Sequence, residues 1–434
     1  MRPTPRAILV AAAGLPVALL PVFVARLWPL WPVFLAGFAV ALGIDALLAP
    51  ERRGVSATAA LPATLAIGQE GTAELTVRLP VPRPVPVTVA IDLSEKLVPQ
   101  PPLQGLAGDS GGTLACKLVP TRRGRVALQR ASIRFTGPLG LLARVVEVGL
   151  AAETAVVPDL RPVRAMALRF AGEQELQAGL KIERYRGDGT EFDSLREHAL
   201  GDDPRVLDWK ASAHHQRLVS RQFRAERNHQ IVVAVDTGRL MCEPLSGIPK
   251  VDHAVASGLL LSYVSLRAGD RVGWMSFDAR VGLWASPQGG VRSFEGLSRL
   301  ASRIDYSEAE TNFTLALTAL GERLSRRSLV VVLTDFVDTV TAELMLENLG
   351  RLARRHAVIF VALADPGLAA IAEAAPADLG RLHRSVVAAT LLRDREVVLK
   401  RLRRRGIATI DAAPGEVGPR LLNTYLEIKR RERI

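Results

Sequence analysis

The stretch Gln230-Ile-Val-Val-Ala-Val-Asp236 decides the fold of the second half of the chain. Its five central residues are all apolar and show no polar alternation, which is typical of a β-strand covered on both faces. Further strands of this kind are predicted over residues 271–277, 329–334, 357–363 and 407–410. Helical patterns alternate with these strands, over residues 251–267, 291–303, from 312, 341–355, 381–405 and 416–431. This alternation predicts a mainly parallel, doubly wound α/β domain over residues 230–434.

Two carboxylates follow apolar strands of this domain directly, Asp236 after the first strand and Asp335 after the strand at 329–334. The carboxyl ends of parallel strands meet at one edge of a sheet, and ligands of such folds bind there. We therefore expect a functional site at this edge.

The first 54 residues contain two uncharged apolar runs, over residues 7–25 and 27–49, the second interrupted only by Asp45. Each is close to the roughly 20 residues that an α-helix needs to cross the hydrocarbon layer. Trp28 and Trp31 lie between the runs, where indole rings favour the membrane interface. A cleaved signal peptide is the competing interpretation, but a second apolar run follows at once. We expect a transmembrane helical hairpin.

Arginines flank this hairpin unequally: Arg2 and Arg6 precede it, Arg52 and Arg53 follow it, and only Arg26 lies in the connection. Positive charge favours the cytoplasmic side of a membrane. We therefore expect a multi-pass protein of the inner (cytoplasmic) membrane with its polar body in the cytoplasm.

Residues 55–160 consist of short segments with period-two polarity, such as 72–79 and 85–92, separated by proline and glycine. Further strands are predicted over 113–120, 124–129, 132–136 and 144–148. Short strands with frequent turn signals predict a small β-sandwich. A spacer or interaction module is its expected role.

Residues 161–229 form the most polar segment of the chain, including Gly201-Asp-Asp-Pro-Arg-Val-Leu-Asp-Trp-Lys210. Its carboxylates could bind a hard divalent ion. Alternatively, the neighbouring basic residues pair with them and dock the segment onto the next domain, with Trp209 as apolar anchor. The candidate partner-binding residues are Gly201, Asp202, Asp203, Pro204, Arg205, Asp208, Trp209 and Lys210.

These stretches carry a resemblance to a known family. Gly187-Asp-Gly-Thr-Glu-Phe192, the stretch 201–213 and Val235-Asp-Thr-Gly-Arg-Leu-Met241 resemble the signature of the domain of unknown function 58 family. The resemblance implies a membrane-anchored bacterial protein whose C-terminal domain is similar to a von Willebrand factor A domain. It also implies MoxR-type AAA+ ATPases as partners, with membrane transglutaminase-like proteins as a further candidate.

The von Willebrand resemblance implies a metal ion-dependent adhesion site, built from Asp-x-Ser-x-Ser after the first strand plus a threonine and an aspartate. Asp236, Thr311 and Asp335 match the aspartates and the threonine, whereas Gly238 and Leu240 replace both serines. The three matching residues could hold Mg²⁺ weakly through water. Alternatively, neighbouring Arg239 neutralises the acids and the site is a metal-free remnant.

The composition limits the remaining classes of function. The 434 residues are 48% hydrophobic and carry a formal net charge of +12, with only two cysteines, which fit a reducing compartment. The basic runs near residues 401–405 and 429–433 lie in helical patterns without interleaved aromatic residues, so we expect no nucleic-acid partner. The sequence also contains no phosphate-binding loop, nucleophile elbow or zinc-protease helix.

Two functions remain open at this stage. The favoured one is a non-enzymatic membrane scaffold or adaptor that recruits a partner, plausibly a MoxR-type AAA+ ATPase, in envelope protein assembly. The alternative is a metal-dependent hydrolase that uses Asp202, Asp203, Asp236 and Asp335.

Overall fold

The computed structural model of the protein has two compact units, Met1–Asp159 (unit 1) and Leu160–Ile434 (unit 2), each described here by itself. The structure describes residues 1–24, 27–161, 165, 186–198, 207–224, 229–336, 339–375 and 378–431.

Unit 1 begins with a short strand, β1 (Arg2–Pro3), and two apolar helices, α1 (Pro5–Phe23) and α2 (Leu30–Leu48). The helices contact each other at Gly14, where a Cβ would lie 2.4 Å from a ring carbon of Phe34. The stretch Leu30–Gly54, which includes α2, is long and apolar enough to cross a membrane, whereas α1 contributes a shorter apolar stretch. Both predicted apolar runs are therefore helical, and one of them meets the criteria for a membrane span.

The rest of unit 1 is made of strands in two sheets. The strands are β2 (Ser56–Ala60), β3 (Thr64–Ala66), β4 (Gly71–Arg78), β5 (Val85–Ile91), β6 (Leu103–Ala107), β7 (Gly112–Leu118), β8 (Gly124–Thr136) and β9 (Leu142–Val157). One sheet has the order β1-β9-β8-β5-β6 with β3 also beside β9, and the other has the order β2-β4-β7. Buried and exposed residues alternate along β4 and β7, as predicted for half-buried strands. The predicted strands at 124–129 and 132–136 are parts of a single strand, β8.

A network of hydrogen bonds, here called the helix–sheet junction, joins α2 to the loop between β8 and β9. Asp45 is fully buried, and its carboxylate accepts from the backbone N–H groups of Leu139, Leu141 and Leu142 at 2.7–2.8 Å. Gly137 permits this approach, because a Cβ there would lie 2.3 Å from the Asp45 carboxylate. Asp45, the charged residue that interrupts the second apolar run, thus joins α2 to the sheet.

Two further residues belong to the helix–sheet junction. The Arg144 guanidinium donates to the carbonyls of Ala46 and Pro50, at 3.0 and 2.6 Å, where α2 ends. Thr4, which caps α1, donates its hydroxyl to the Gly140 carbonyl at 2.6 Å. Both apolar helices are therefore fastened to the same loop of the sheet.

Unit 2 is built on a six-stranded sheet. Its polar start contributes β10 (Arg186–Glu197), α3 (Trp209–His215) and β11 (Val219–Arg224), with β10 antiparallel to β11. The six strands are β12 (Gln230–Asp236), β15 (Arg271–Phe277), β16 (Val281–Gln288), β17 (Leu329–Leu333), β18 (Ala357–Leu363) and β19 (Ala408–Ala412). Their order is β16-β15-β12-β17-β18-β19, and all are parallel except β16.

Helices and one small hairpin connect these strands. They are α4 (Arg239–Cys242), the hairpin β13 (Pro244–Leu245) and β14 (Ile248–Pro249), α5 (Lys250–Arg267), α6 (Ser293–Ser302), α7 (Phe313–Arg323), α8 (Thr339–Ala353), α9 (Pro366–Glu373), α10 (Leu379–Arg404) and α11 (Pro414–Arg430). Neither β16 nor α9 was predicted from the sequence.

Hydrophobic cores cover both faces of this sheet. Along β12, Ile231, Val233 and Val235 join one core with residues of α5, α6 and α11. Val232 and Ala234 join the other core with residues of α7, α8 and α10. The prediction of a mainly parallel, doubly wound α/β unit is therefore confirmed, and the apolar run of β12 is explained by its burial on both sides.

Candidate functional site

The candidate site lies at the carboxyl edge of the unit 2 sheet. Adjacent parallel strands β12 and β17 end there at Asp236 and at Leu333, which Thr334 and Asp335 follow. The loop before α7 reaches the same edge, since the hydroxyl of Thr311 donates to Asp236 at 2.7 Å. The structure thus brings two of the three predicted site residues, Asp236 and Thr311, into direct contact.

Asp236 is only 1% exposed, and hydrogen bonds satisfy both of its carboxylate oxygens. Oδ1 accepts from Thr311 and from the backbone N–H of Gly238 at 2.8 Å, and Oδ2 accepts from the Thr334 hydroxyl at 2.5 Å. Burial raises the pKa of Asp236 to about 6, although these three hydrogen bonds favour the ionised form. The carboxylate is therefore held by neutral donors.

Gly238, which stands where the adhesion-site pattern has its first serine, makes the contact between Asp236 and Thr311 possible. A Cβ at this position would lie 2.2 Å from the Thr311 hydroxyl and 3.2 Å from the Asp236 carboxylate. The backbone of Gly238 has φ −66°, which any residue adopts, so space is the constraint at this position.

Asp335 has a different environment, because two largely but not fully buried cations hold its carboxylate. Arg395 of α10 lies 2.6 Å from Oδ1, and the ammonium of Lys250, the first residue of α5, lies 2.8 Å from Oδ2. Arg395 also pairs with Asp411 at 2.9 Å, and Lys250 pairs with Glu243 at 3.1 Å. Asp335, Lys250, Arg395, Asp411 and Glu243 are called the cation cluster below.

Electrostatics keep the two cations of this cluster charged. Burial lowers the pKa of Lys250, but the charges and hydrogen bonds of Asp335 and Glu243 outweigh it and raise that pKa above its usual value. For Arg395, burial also opposes the charge, and the carboxylates of Asp335 and Asp411 raise the pKa. Both side chains are thus permanent cations at neutral pH.

The donor set does not fit a divalent metal ion in the form that the structure shows. Mg²⁺ requires free oxygen ligands in near-octahedral geometry. Both oxygens of Asp335 are taken by cations, and both oxygens of Asp236 are taken by hydroxyl or amide donors. Across the described part of the chain, no group of three or more His, Cys, Asp or Glu side chains is arranged to hold a metal.

Lys250, Arg395 and Thr334 were not among the residues predicted from the sequence, which offered Arg239 as an alternative partner of the acids. Arg239 instead lies on the exposed rim of the site, 3.8 Å from Glu310. The spacing of Arg395 from Val398, Leu399 and Leu402 was the available signal, since these three are buried on the same face of α10. A cation on the core face of a helix predicts a buried carboxylate partner.

The polar signature segment is described only in part, because Gly201, Asp202, Asp203, Pro204 and Arg205 lie outside the described residues. Asp208 caps α3, accepting from the backbone N–H groups of Lys210 and Ala211, both at 3.0 Å. Trp209 is 72% exposed, so the prediction that it anchors this segment within the chain is wrong. Lys210 is also exposed.

Fold and site define a class of protein: an α/β unit with an ion-paired strand edge, preceded by β-sheets and an apolar helix suited to a membrane. Residues 194–390 match the model of the family described as "Protein of unknown function DUF58". This match confirms the family resemblance found in the sequence.

Curated relatives share part of this chain. The uncharacterized proteins Rv1480 of Mycobacterium tuberculosis and Mb1516 of Mycobacterium bovis are each 24% identical to it over 182 residues. The aligned region covers 42% of this chain and 56% of each relative, so the chain spans about half the length of these relatives.

Solved structures show only distant likeness. The conserved hypothetical protein BatB from Bacteroides thetaiotaomicron is 14% identical, with a TM-score of 0.32, over 48% of this chain and 100% of that chain. An uncharacterized membrane-spanning protein from Vibrio fischeri is 14% identical, with a TM-score of 0.18, over 47% of this chain and 99% of that chain. Both structures are too distantly similar to indicate a function for this chain.

Proposed function

We propose that this protein is a membrane-anchored, non-enzymatic scaffold whose von Willebrand factor A-like unit recruits a protein partner at the carboxyl edge of its sheet. The observation that carries the proposal is that internal contacts hold both strand-end carboxylates: hydrogen bonds from neutral donors hold Asp236, and ion pairs of the cation cluster hold Asp335. Carboxylates held in this way are suited to fixing the loops at the strand edge, because their oxygens already contact donors of the protein.

The rim above these buried groups supplies the proposed contact surface. Arg239 directly follows Gly238, and its side chain is 64% exposed. Glu310 directly precedes Thr311, and its side chain is 89% exposed. Exposed charges at a rim steer association and select partners by complementarity. The exposed Trp209 is an aromatic group of the type that anchors protein interfaces. It supports partner recruitment as a separate observation from the contacts at the strand edge.

The family resemblance suggests the partner, a MoxR-type AAA+ ATPase in the cytoplasm, with a membrane transglutaminase-like protein as a further candidate. The apolar stretch Leu30–Gly54 supports membrane anchoring. Anchoring in the inner membrane by two spans, α1 and α2, with the β-sheets of unit 1 and the whole of unit 2 in the cytoplasm, is part of this proposal.

The hydrolase alternative has weaker support. It requires Asp335 as a metal ligand or a base, whereas both oxygens of this carboxylate are held by cations. Of its other three residues, Asp202 and Asp203 lie outside the described residues, and Asp236 is held by hydroxyl and amide donors.

Capture of partners by the full-length protein from its native membrane tests the proposal. We expect the wild type to recover an AAA+ ATPase and Arg239→Glu to recover about tenfold less, since the change reverses an exposed rim charge. Arg420→Glu is the matched control, because Arg420 is exposed in a surface ion pair of α11. Equal recovery with all three proteins would exclude the strand edge as the contact, and absence of any ATPase would remove the partner assignment.

A further inference from the structure

We propose that Lys250 and Arg395 take the place of the divalent cation at this strand edge, so that the site is complete without a metal. The contacts of Asp335 and Asp236 carry this inference. Only its consequence, that partner recruitment needs no metal at this edge, rests on the proposed function.

The contacts of Asp335 support this assignment first. A metal ion would have to bind a carboxylate oxygen that Lys250 or Arg395 now occupies, at 2.8 and 2.6 Å. Displacing either side chain would leave a buried charge without its partner, which is strongly unfavourable. Retaining Lys250 beside an added divalent ion would instead place like charges together.

The local structure around Lys250 is built to hold its ammonium in place. The hairpin β13–β14 brings Glu243 back beside Lys250, whose backbone N–H donates to the Glu243 carbonyl at 3.0 Å. Ser246 and Gly247 form the two-residue turn of this hairpin, and their φ values of 55° and 81° are both positive, as a type I′ turn requires. Lys250 thus has two carboxylate partners fixed by backbone geometry.

The position of Lys250 in its helix is a second argument. A lysine at the first residue of a helix faces the positive end of the helix dipole, where a cation is disfavoured. Such a placement requires compensation, and Asp335 and Glu243 supply it. The side chain is only 12% exposed, so it serves the interior of the site.

The Asp236 half of the edge is closed as well. Thr311 and Thr334 donate to its two oxygens, and the missing side chain of Gly238 leaves the space that Thr311 occupies. In the serine-containing pattern, a side chain at this position would compete for that space. Glycine in place of serine at position 238 therefore removes a metal ligand and also leaves the space in which the Thr311 hydroxyl contacts Asp236.

Titration of Mn²⁺ into the full-length protein in detergent micelles, followed by loss of the free-ion electron paramagnetic resonance signal, tests the proposal. We expect no wild-type site tighter than about 1 mM that depends on Asp335. In Lys250→Met, which keeps the length of the side chain and removes its charge, we expect Mn²⁺ affinity to rise by about tenfold or more. Adding Asp335→Asn to Lys250→Met should abolish that gain.

Lys429→Met is the matched control, because Lys429 pairs with buried Asp270 at 2.8 Å away from the strand edge. A gain of Mn²⁺ in both lysine variants, or in neither when circular dichroism shows both folded, would overturn the assignment. If Lys250→Met does not fold, the wild type and Asp335→Asn decide: Mn²⁺ binding that Asp335→Asn abolishes would overturn the proposal, and equal behaviour would support it. None of these results depends on a partner, so they are independent of the recruitment proposal.

Discussion

Asp236 combines near-complete burial with a carboxyl group that is only partly compensated. Its pKa rises from the ordinary 3.8 to about 6, mainly because burial penalises the charged form. A carboxyl whose pKa rises on folding binds its proton more tightly in the folded protein. The stability from this group is therefore present at low pH and is lost as the pH rises from about 4 through about 6.

We predict that Asp236→Asn, which cannot ionise, removes this pH dependence. Relative to the variant, the wild type should lose about 3 kcal/mol of local stability between about pH 4 and pH 7. Hydrogen exchange of the Val233 and Val235 amides, corrected for the intrinsic rate at each pH, measures this loss in β12. Parallel pH profiles for the two proteins would contradict the assignment.

At the level of single residues, the acids at the strand ends could be predicted from the sequence, but their cationic partners could not. Asp236 and Asp335 were found because each directly follows an apolar strand, and parallel strands place their ends together. Lys250 and Arg395 reach Asp335 from helices far away in sequence, and no local pattern pairs a given cation with a given acid. Only the buried face of α10 carried a partial signal for Arg395.

At the level of elements, apolar periodicity was sufficient for most helices and strands. The buried strands β12, β15, β17 and β18 coincide with short, mostly apolar runs, as expected of strands covered on both faces. By contrast, β16 is a half-exposed edge strand containing glycine and proline, and its sequence Val281-Gly-Leu-Trp-Ala-Ser-Pro-Gln288 reads as a loop. The short helix α9 has no buried residues, and its eight residues, Pro366-Gly-Leu-Ala-Ala-Ile-Ala-Glu373, are too few to show a helical apolar period.

The helix–sheet junction is the element contact with the clearest energetic consequence. We predict that Asp45→Ala destabilises the loop between β8 and β9, because three backbone N–H groups lose their acceptor at about 1–3 kcal/mol each if no water replaces it. Hydrogen exchange of the Leu141 and Leu142 amides should accelerate by about tenfold or more. Unchanged protection of both amides would show that the junction is dispensable.

Glu51→Ala provides the control for this experiment. Glu51 is an exposed carboxylate just after α2, so its removal changes charge in the same region without removing a buried acceptor. Exchange of Leu141 and Leu142 should be the same in Glu51→Ala and in the wild type.

At the level of the whole molecule, the apolar N-terminal part should determine where the chain resides. We predict that the full-length protein stays in the membrane pellet after extraction at alkaline pH, because Leu30–Gly54 is long enough to span the hydrocarbon layer. Immunoblotting of pellet and supernatant measures this. The matched variant Phe38→Arg with Val40→Arg places two charges in the middle of α2 and should move protein to the supernatant or prevent its accumulation.

Release of the wild type by the alkaline wash would contradict the prediction of a membrane span. Release of the double-arginine variant alone would assign retention to α2 and not to surface charge.

The helix–sheet junction also orders events during synthesis of the protein. Asp45 leaves the ribosome long before Leu139, Leu141 and Leu142, the residues whose N–H groups will receive its charge. During that interval the carboxyl group of Asp45 lacks these partners and depends on water for its hydrogen bonds. Completion of the loop and of β9 then replaces this water with fixed donors. If α2 inserts into a membrane as proposed, insertion and folding of the β-sheets are successive steps, and the helix–sheet junction forms in the second of them.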